Sequence, residues 1–494
     1  MFLNPTTVFQ KYVFFIIYNK SVSGLNRLQS YNRRIKMEKN SLKKSISFWG
    51  IIAMATGSMV CAWMVDIKYW FEITGISSAL GLLVAGLLFL PLCLIFSENN
   101  SMLPYAGGPN IWVSNCLGWD VGWFTCWFQL MLYVALVPAN AYVCIGLFGW
   151  FVPLTPSQTR FWSGVFVVVW YLLMHVEMRF LSRIQTFVFW STLVVALGAS
   201  VIFIFNSNWS LDIAKPVFSN GTAGFATIIG ILVLKFIGFD MIAELTEEAK
   251  FPPKKIWATY LISMGFTVLV YGMAVIGVGG HASRAEIMEM AAVDPTIASK
   301  LGMHWLGVLL VIMGIGTVMT SIMPAMASAS RILYGASKQY QFSPVFSKLT
   351  KSGQPWVANL AVGIAGLYFT VMAPDEWINY IYTITGLLGG IVYLMVTISF
   401  IGLRKTHPDW ERPYKIKYPK IVFVLSSLFM VYVIYICCKE MDPGSWLTLG
   451  LLFILGIGCW IYAKFQQKRD PEKWKKFIIN PENTPINNTE EDGE

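Results

Sequence analysis

Apolar segments of membrane-spanning length recur along the whole chain, with short polar loops between them. Windows of roughly 19 residues give about 12 such segments, each long enough to cross the hydrocarbon core of a bilayer as a helix. Their bounds are 47–68, 76–96, 120–148, 160–176, 186–205, 225–245, 257–280, 303–330, 357–372, 378–403, 420–437 and 446–463. The pattern predicts an all-α polytopic membrane protein whose transmembrane domain covers 47–463.

The two ends of the chain differ from this pattern. Residues 1–36 contain one short apolar run, YVFFIIY, which is too short to span a bilayer. We expect 1–36 to be an upstream extension or a disordered segment, with translation starting at Met37. Residues 37–46 are then a basic cytoplasmic tail, and 464–494 form a second polar tail on the same side.

Composition and charge narrow the class of protein. The chain has 494 residues, of which 56% are hydrophobic and 13% are charged, and this excludes an ordinary soluble domain. Lys and Arg are about three times as frequent in one set of alternate loops as in the other, which predicts cytoplasmic termini in a cell (plasma or inner) membrane. The net charge of +10 therefore reflects topology, and we expect no nucleic-acid partner.

Cysteine and histidine give no sign of a bound metal. Most of the 8 cysteines lie inside apolar segments, and the 4 histidines are scattered at segment ends or in loops. Neither residue type has the spacing of a zinc site or a disulfide framework. We therefore expect no metal, no cofactor and no catalytic residue.

Two apolar segments have interrupted middles. The first carries Thr56-Gly57-Ser58 at its centre, and the sixth reads FATIIGILVLKFIGFDMIAEL, with Gly238 between Lys235 and Asp240. A charge at the bilayer centre costs about 2.5–3.5 kcal/mol on insertion scales, so such residues usually face a functional cavity. Broken helices at matching places in two halves of a chain are typical of a transporter's substrate site.

Four loop motifs resemble those of the amino acid–polyamine–organocation (APC) permease superfamily. They are Glu98, Pro104 and Gly107-Gly108 in SENNSMLPYAGGPNIWVSNCLGW; Glu247, Glu248, Pro252, Pro253 and Lys254 in FIGFDMIAELTEEAKFPPKKIW; Ser330-Arg331 and Tyr334 in AMASASRILYGASKQYQFSPVF; and Arg412-Pro413-Tyr414-Lys415 in GLRKTHPDWERPYK. The resemblance covers about residues 44–465. One departure is Met59, where the family often has glycine.

The resemblance implies a LeuT-type fold, with two inverted five-span repeats followed by two C-terminal helices. It also implies secondary active transport of amino acids or related amines by alternating access, either as an antiporter or as a proton-coupled symporter. Asp240 aligns with a position that is acidic in the family and is linked to protons or to substrate sensing. The substrate-binding residues are expected on both broken spans.

An amino acid substrate needs partners for two charges. Its carboxylate is expected at the backbone N–H groups of Gly57, Ser58 and Met59, where a second half-helix would begin. Its ammonium is expected at carbonyl groups of the sixth span and at Asp240. The predicted substrate-binding residues of that span are Phe236, Ile237, Gly238, Phe239 and Asp240.

The two charged residues of span six each allow more than one role. Asp240 carries charge or protons, or it caps the second half-helix. Lys235 pairs with Asp240, binds an anionic group of the substrate or replaces a structural cation. Alternatively, it extends its amine to the membrane surface or is neutral because it is buried. Because both signs are present, a zwitterionic or acidic substrate is favoured over a cationic one.

Further candidates concern coupling and gating. Trp63, like Phe236 and Phe239, gates the site or merely packs, and Tyr133 is a polar residue in the third span. Glu247 and Glu248, together with Lys254 and Lys255, form either a solvated loop or an ion-pair network that closes the cytoplasmic side.

Other functions are weighed against transport. An ethanolamine-type permease is an alternative within the family, and a channel or receptor-like binding protein is an alternative from another class. A channel would need rings of charge or a continuous polar stripe, and an enzyme would need clustered acid, base or metal-binding residues. We expect a transporter of a small-molecule amino acid or amine, embedded in the lipid bilayer as a monomer or homodimer.

Overall fold

The structure is a computed structural model that describes residues 42–61, 63–176, 178–372 and 375–484. The predicted upstream extension, 1–36, lies outside these residues, as does the end of the polar tail. Residues 1–43 and 44–494 are separate units, and all helices named below belong to the second.

Helices form most of the described chain. They are α1 (Phe48–Met59), α2 (Trp63–Thr74), α3 (Ser78–Met102), α4 (Gly108–Leu117), α5 (Trp119–Phe148), α6 (Pro156–Leu173), α7 (Met178–Ile204), α8 (Gly221–Ile231), α9 (Met241–Leu245), α10 (Ile256–Gly279), α11 (Arg284–Glu289), α12 (Val293–Lys300), α13 (His304–Lys338), α14 (Trp356–Val371), α15 (Asp375–Thr406), α16 (Pro419–Glu440) and α17 (Pro443–Arg469). Each apolar segment picked out in the sequence is helical for most of its length.

Length and composition identify the helical segments that can cross a membrane. Within the described residues, nine are long and apolar enough, and α1 and α14 are shorter apolar helices. The predicted span 160–176 corresponds to α6, which is not among the nine. Three short helices in loops, α4, α11 and α12, were not predicted, because their few turns lie among polar residues and glycines.

Local signals at the helix ends explain where several helices begin. The Ser47 hydroxyl accepts a hydrogen bond from Gly50 N at 3.1 Å at the start of α1, and Asp442 accepts one from Ser445 N at 2.6 Å before α17. Thr155 and Gln158 form a reciprocal capping box before α6. Each cap satisfies an amide N–H that would otherwise lack a partner in the first helical turn.

One buried ion-pair cluster joins α3 to the end of α15. Glu98 is 1% exposed, and its oxygens accept bonds from Arg404 at 2.8 and 2.5 Å. Arg412 approaches the same carboxylate at 3.5 Å, and Ile416 N donates to it at 2.7 Å. The motif residues Glu98 and Arg412 therefore hold the loop after α15 against α3.

Candidate functional site

The first span is broken, but later than the sequence analysis predicted. Gly57 and Ser58 lie inside α1, which continues to Met59, and α2 begins at Trp63. Val60 N still donates to Thr56 O at 2.8 Å. The prediction that Gly57, Ser58 and Met59 open the second half-helix is therefore wrong, and the unpaired N–H groups belong to the start of α2.

Packing explains why α1 does not break at its glycine. A Cβ on Gly57 would lie 3.2 Å from Thr320 Oγ1 on α13, so glycine here permits close helix contact and not a break. Next to it, the Ser58 and Ser321 hydroxyls lie 3.3 Å apart. The hydroxyl groups of α13 thus bond across helices, as is common between membrane helices.

The sixth span is broken at the predicted place. After α8, a 3-10 turn covers Leu232–Phe236, and the helix resumes only at α9. Gly238 lies between them with φ of +119°, a conformation that L side chains rarely adopt. Glycine is required here because the chain must turn between two half-helices.

The break of span six faces the last turn of α1, directly before the break of span one. A Cβ on Gly238 would lie 3.1 Å from Ser58 Cβ and 3.5 Å from Met59 N. From α10, the Tyr271 hydroxyl donates to Met59 O at 2.7 Å and contacts Cys61 O at 3.1 Å, which fixes the carbonyl groups at the end of α1. Backbone groups of spans one and six therefore meet at one buried place.

Asp240 lies directly after this meeting point and is fully buried. Its Oδ1 accepts from Gly238 N at 3.1 Å, so it secures the break and does not bond to the amides of α9. The hydroxyls of Tyr133 and Tyr393 are its polar neighbours. Among the described residues, Oδ2 and both hydroxyls lack a well-aligned hydrogen bond. Three neighbouring buried polar atoms can therefore each form a further hydrogen bond.

Lys235 does not pair with Asp240. Its Nζ lies 2.6 Å from Asp66 Oδ2 on α2, and their side chains are 14% and 15% exposed. The pair therefore joins the second half of span one to the first half of span six. The sequence separation is 169 residues, which is why no local pattern indicated this partner.

The aromatic candidates separate into different environments. Phe239 packs with Phe89, Phe96 and Tyr393 at ring-centroid distances of 4.8, 4.7 and 5.3 Å. Phe236 contacts Phe89 at 5.3 Å. Both are fully buried, so these side chains build a rigid wall behind the break.

Trp63 anchors the start of α2 to the loop helix α12. Its indole Nε1 donates to Asp294 Oδ1 at 3.2 Å, and both residues are buried. Asp294 lies outside the membrane-spanning segments, where burial raises the pKa of its carboxyl to about 7, although the bond from Trp63 opposes this shift. An acid in this position changes its charge close to neutral pH.

Glu247 and Glu248 contact residues from other elements and not the neighbouring lysines. Glu248 Oε1 accepts from Arg331 Nε at 2.6 Å, and both side chains are almost completely buried. Glu247 accepts from Ala106 N at 2.9 Å and lies 3.8 Å from Lys338. The suggested pairing with Lys254 and Lys255 is thus replaced by contacts to α13 and to the loop before α4.

Backbone bonds connect the beginning of span one to the end of span six. Ser45 N and Ile46 N donate to Glu248 O at 2.8 and 3.0 Å, and Lys250 N donates to Ile46 O at 2.9 Å. Ile46 and Ala249 thereby form a short parallel bridge. The start of span one and the end of span six are therefore bonded to each other, on the side where the described chain begins.

The sequence analysis assigned no role to two acids, Asp66 and Glu244, although Glu244 lies four residues after Asp240 in the same apolar segment. Glu244 is fully buried and accepts bonds from Gly107 N at 2.9 Å and Gln129 Nε2 at 3.1 Å. A carboxylate inside an apolar span is a sufficient signal, and it was available in the sequence.

Comparison with known proteins gives a consistent result. Residues 46–458 match the family model described as amino acid permease. The glutamate/serine transporter AimA of Bacillus subtilis (strain 168) is 22% identical over 475 residues, covering 89% of this chain and 84% of that protein.

Two further relatives cover similar shares. The aspartate-proton symporter of the same organism is 21% identical, covering 88% of this chain and 86% of its own length. The gamma-aminobutyric acid permease of Escherichia coli (strain K12) is 22% identical, covering 83% of this chain and 90% of its own length.

Proposed function

We propose that this chain, which belongs to the amino acid permease family, binds its substrate where the breaks of spans one and six meet and carries it across the cell membrane by alternating access. Amino acid transport is the activity that the family and the relatives support. The observation that carries the location is the contact between Gly238 and Ser58 at two broken helices. Broken helices at a midplane are where transporters of this kind bind substrate.

The two charged ends of an amino acid have separate partners in this site. The start of α2 offers amide N–H groups and the positive end of a helix dipole to the carboxylate. Asp240 has a buried carboxylate oxygen that forms no well-aligned hydrogen bond in the described structure. This oxygen is available to the ammonium. A zwitterion therefore satisfies both halves of the site.

The substrate's side chain is proposed to reach the Lys235–Asp66 pair. Cys61, at the break of span one, lies within electrostatic range of both charges of this pair, which supports a substrate side chain reaching them. An acidic side chain would compete with Asp66 for Lys235. Two relatives are a glutamate/serine transporter and an aspartate-proton symporter, and these names support the same class of substrate here.

Contacts at the ends of the broken spans are proposed to close the cytoplasmic side. The Glu248–Arg331 ion pair ties span six to α13, and the bridge between Ile46 and Ala249 ties it to span one. Opening towards the cytoplasm would require the ion pair to separate while the bridge stays intact. The two half-helices would then move as one body.

A matched pair of glycine variants tests the location of the site. Purified protein in liposomes preloaded with unlabelled substrate is assayed for counterflow of labelled L-glutamate, L-aspartate, L-serine and L-leucine. We expect Gly238→Ala to abolish counterflow, because φ and the space beside Ser58 exclude a Cβ. Gly450→Ala is the control, since a Cβ there meets nothing within 4 Å.

Each outcome of this assay has a clear meaning. Counterflow of at least one amino acid by the wild type and by Gly450→Ala, with none by Gly238→Ala, supports the proposal. Full counterflow by a correctly folded Gly238→Ala would place the substrate elsewhere. Counterflow of labelled ethanolamine, with none of any amino acid, would favour an amine permease.

Lys235 and Asp66 variants test the substrate class. We expect Lys235→Met to weaken inhibition by L-glutamate about tenfold or more relative to L-serine, which corresponds to about 1.4 kcal/mol. Lys235→Met/Asp66→Asn removes both charges, so it separates loss of recognition from damage caused by an unpaired Asp66. An unchanged glutamate-to-serine ratio in both variants would contradict this role.

A further inference from the structure

Glu244 is a membrane-embedded acid outside the site proposed above. It lies on α9, four residues after Asp240 and therefore one helical turn nearer to Glu247 and Glu248. Its side chain is fully buried. The acids at 240, 244, 247 and 248 thus form a series along span six, from the break to the end of the span.

The surroundings hold the Glu244 carboxylate in one orientation. Gly107 N donates to Oε2 at 2.9 Å, and Gln129 Nε2 donates to Oε1 at 3.1 Å. A Cβ on Gly108 would lie 3.0 Å from Oε1, so the glycine leaves room for the carboxylate. Gly107 and Gly108, where α4 begins, therefore accommodate the Glu244 carboxylate in this chain.

A matching pair of polar residues on α5 runs beside span six. Gln129 faces Glu244, and four residues later Tyr133 faces Asp240. Gln129 Oε1 and the Tyr133 hydroxyl are fully buried and, within the described chain, lack a well-aligned hydrogen bond. The amide that bonds to Glu244 thus has a spare acceptor, and the Tyr133 hydroxyl faces Asp240.

Among the described residues, no cationic side chain faces Glu244. The titratable groups that face it are Asp240 from its own span, Cys126 and Tyr133 from α5, and Tyr260 from α10. Glu247 and Glu248 follow on the same span and contact Lys338 and Arg331. Two neighbouring acids without a counter-ion do not both remain ionised at low cost.

Gln129 suits Glu244 in either protonation state. Its amide donates to Glu244 when the carboxylate is ionised, as in the structure. When Glu244 carries a proton, a rotated amide presents Oε1, which accepts the new O–H. Gly107 N stays bonded when Glu244 gains a proton, so this step requires only a rotation of the Gln129 amide.

We propose that Glu244 is a proton-binding site of this transporter, which takes the proton from Asp240 and releases it on the cytoplasmic side. In this step the O–H bond at Asp240 Oδ2 breaks, an O–H bond forms at Glu244, and Asp240 becomes the carboxylate. Release follows when the loop carrying Gly107 moves away as that side opens. The inference rests on the proposed function and adds proton symport to it.

Isosteric variants in liposomes test this step. Glu244→Gln keeps the size, still accepts from Gly107 N and can donate to a rotated Gln129 amide, but it binds no proton. Glu289→Gln makes the same change at an exposed position in a loop helix. Counterflow of the labelled amino acid that the wild type exchanges is measured at equal pH. Uptake driven by an inward proton gradient and internal acidification, read by an enclosed pH dye, are measured in parallel.

We expect Glu244→Gln to keep counterflow near the wild-type rate and to lose about tenfold or more of gradient-driven uptake and acidification. Glu289→Gln should match the wild type, and Glu244→Asp, which retains a carboxyl, should restore part of the proton flux. The proposal would be overturned if Glu244→Gln kept the wild-type rate of proton-driven uptake. It would also be overturned if this variant lost counterflow as strongly as it lost proton-driven uptake. Wild-type protein that shows counterflow but no internal acidification in the gradient assay would also overturn it. Amino acid transport itself would then stand.

Discussion

Two sets of buried acids in this protein differ in whether a cation faces them. Glu98 and Glu248 each bind an arginine and join helices that are distant in sequence. Asp240 and Glu244 are equally buried, but in the described structure neither forms an ion pair. A buried acid with a cationic partner joins the helices that carry the two residues. A buried acid without such a partner inside an apolar span is typical of a functional site.

The paired set should show the largest effect on stability. Arg331→Met leaves Glu248 buried without its cation, and we expect a loss of about 3–5 kcal/mol, because an uncompensated charge remains in the interior. Thermal unfolding of purified protein in detergent measures this. Adding Glu248→Gln should recover most of the loss. If the single variant is as stable as the wild type, the ion pair does not fasten these helices.

The unpaired set should affect transport and not folding. We expect Asp240→Asn to lower uptake about tenfold or more, equivalent to about 1.4 kcal/mol in the barrier, with the unfolding temperature unchanged or raised because a buried charge is removed. Labelled uptake and thermal unfolding on the same preparation separate the two effects. Full uptake with the wild-type pH profile would remove Asp240 from the mechanism.

Asp294 is a third buried acid without an ion pair among the described residues, and its effect should depend on pH. Its pKa is about 7 in the folded protein against an ordinary 3.8, so the folded state keeps the proton at pH 6 after the unfolded chain has lost it. Stability therefore falls as pH rises through 7. Between pH 6 and 8 the loss is about 1.4 kcal/mol. The free energy of unfolding of Asp294→Asn should lack this decline between pH 6 and 8. A decline in the variant equal to that of the wild type would contradict the assignment of the pH dependence to Asp294.

The smallest effect is expected for an exposed ion pair. Lys300 lies 3.0 Å from Glu286, but their side chains are 45% and 52% exposed. We expect Lys300→Gln to change the free energy of unfolding by less than about 0.5 kcal/mol, because water already solvates both charges. A loss comparable to that of Arg331→Met would mean that burial does not decide which pairs matter here.

Hydropathy and glycine placement were enough to predict the helical segments and the break at Gly238. The position of the first break was not predicted correctly, because Gly57 serves close packing against Thr320, a contact that no local pattern reveals. The pairing of Lys235 with Asp66 joins residues 169 apart in sequence and was equally hidden. Glu244 could have been predicted from its sequence alone, since the same argument that selected Asp240 applies to it.

The bridge between Ile46 and Ala249 also constrains how the molecule is made. Its two partners are separated by roughly 200 residues, so at about 5–20 residues per second the ribosome needs some 10–40 s to supply the second one. During that interval the first break has neither Gly238 against it nor the anchor at its outer end. The first span is therefore synthesised before its partner, and the proposed substrate site is complete only when span six arrives.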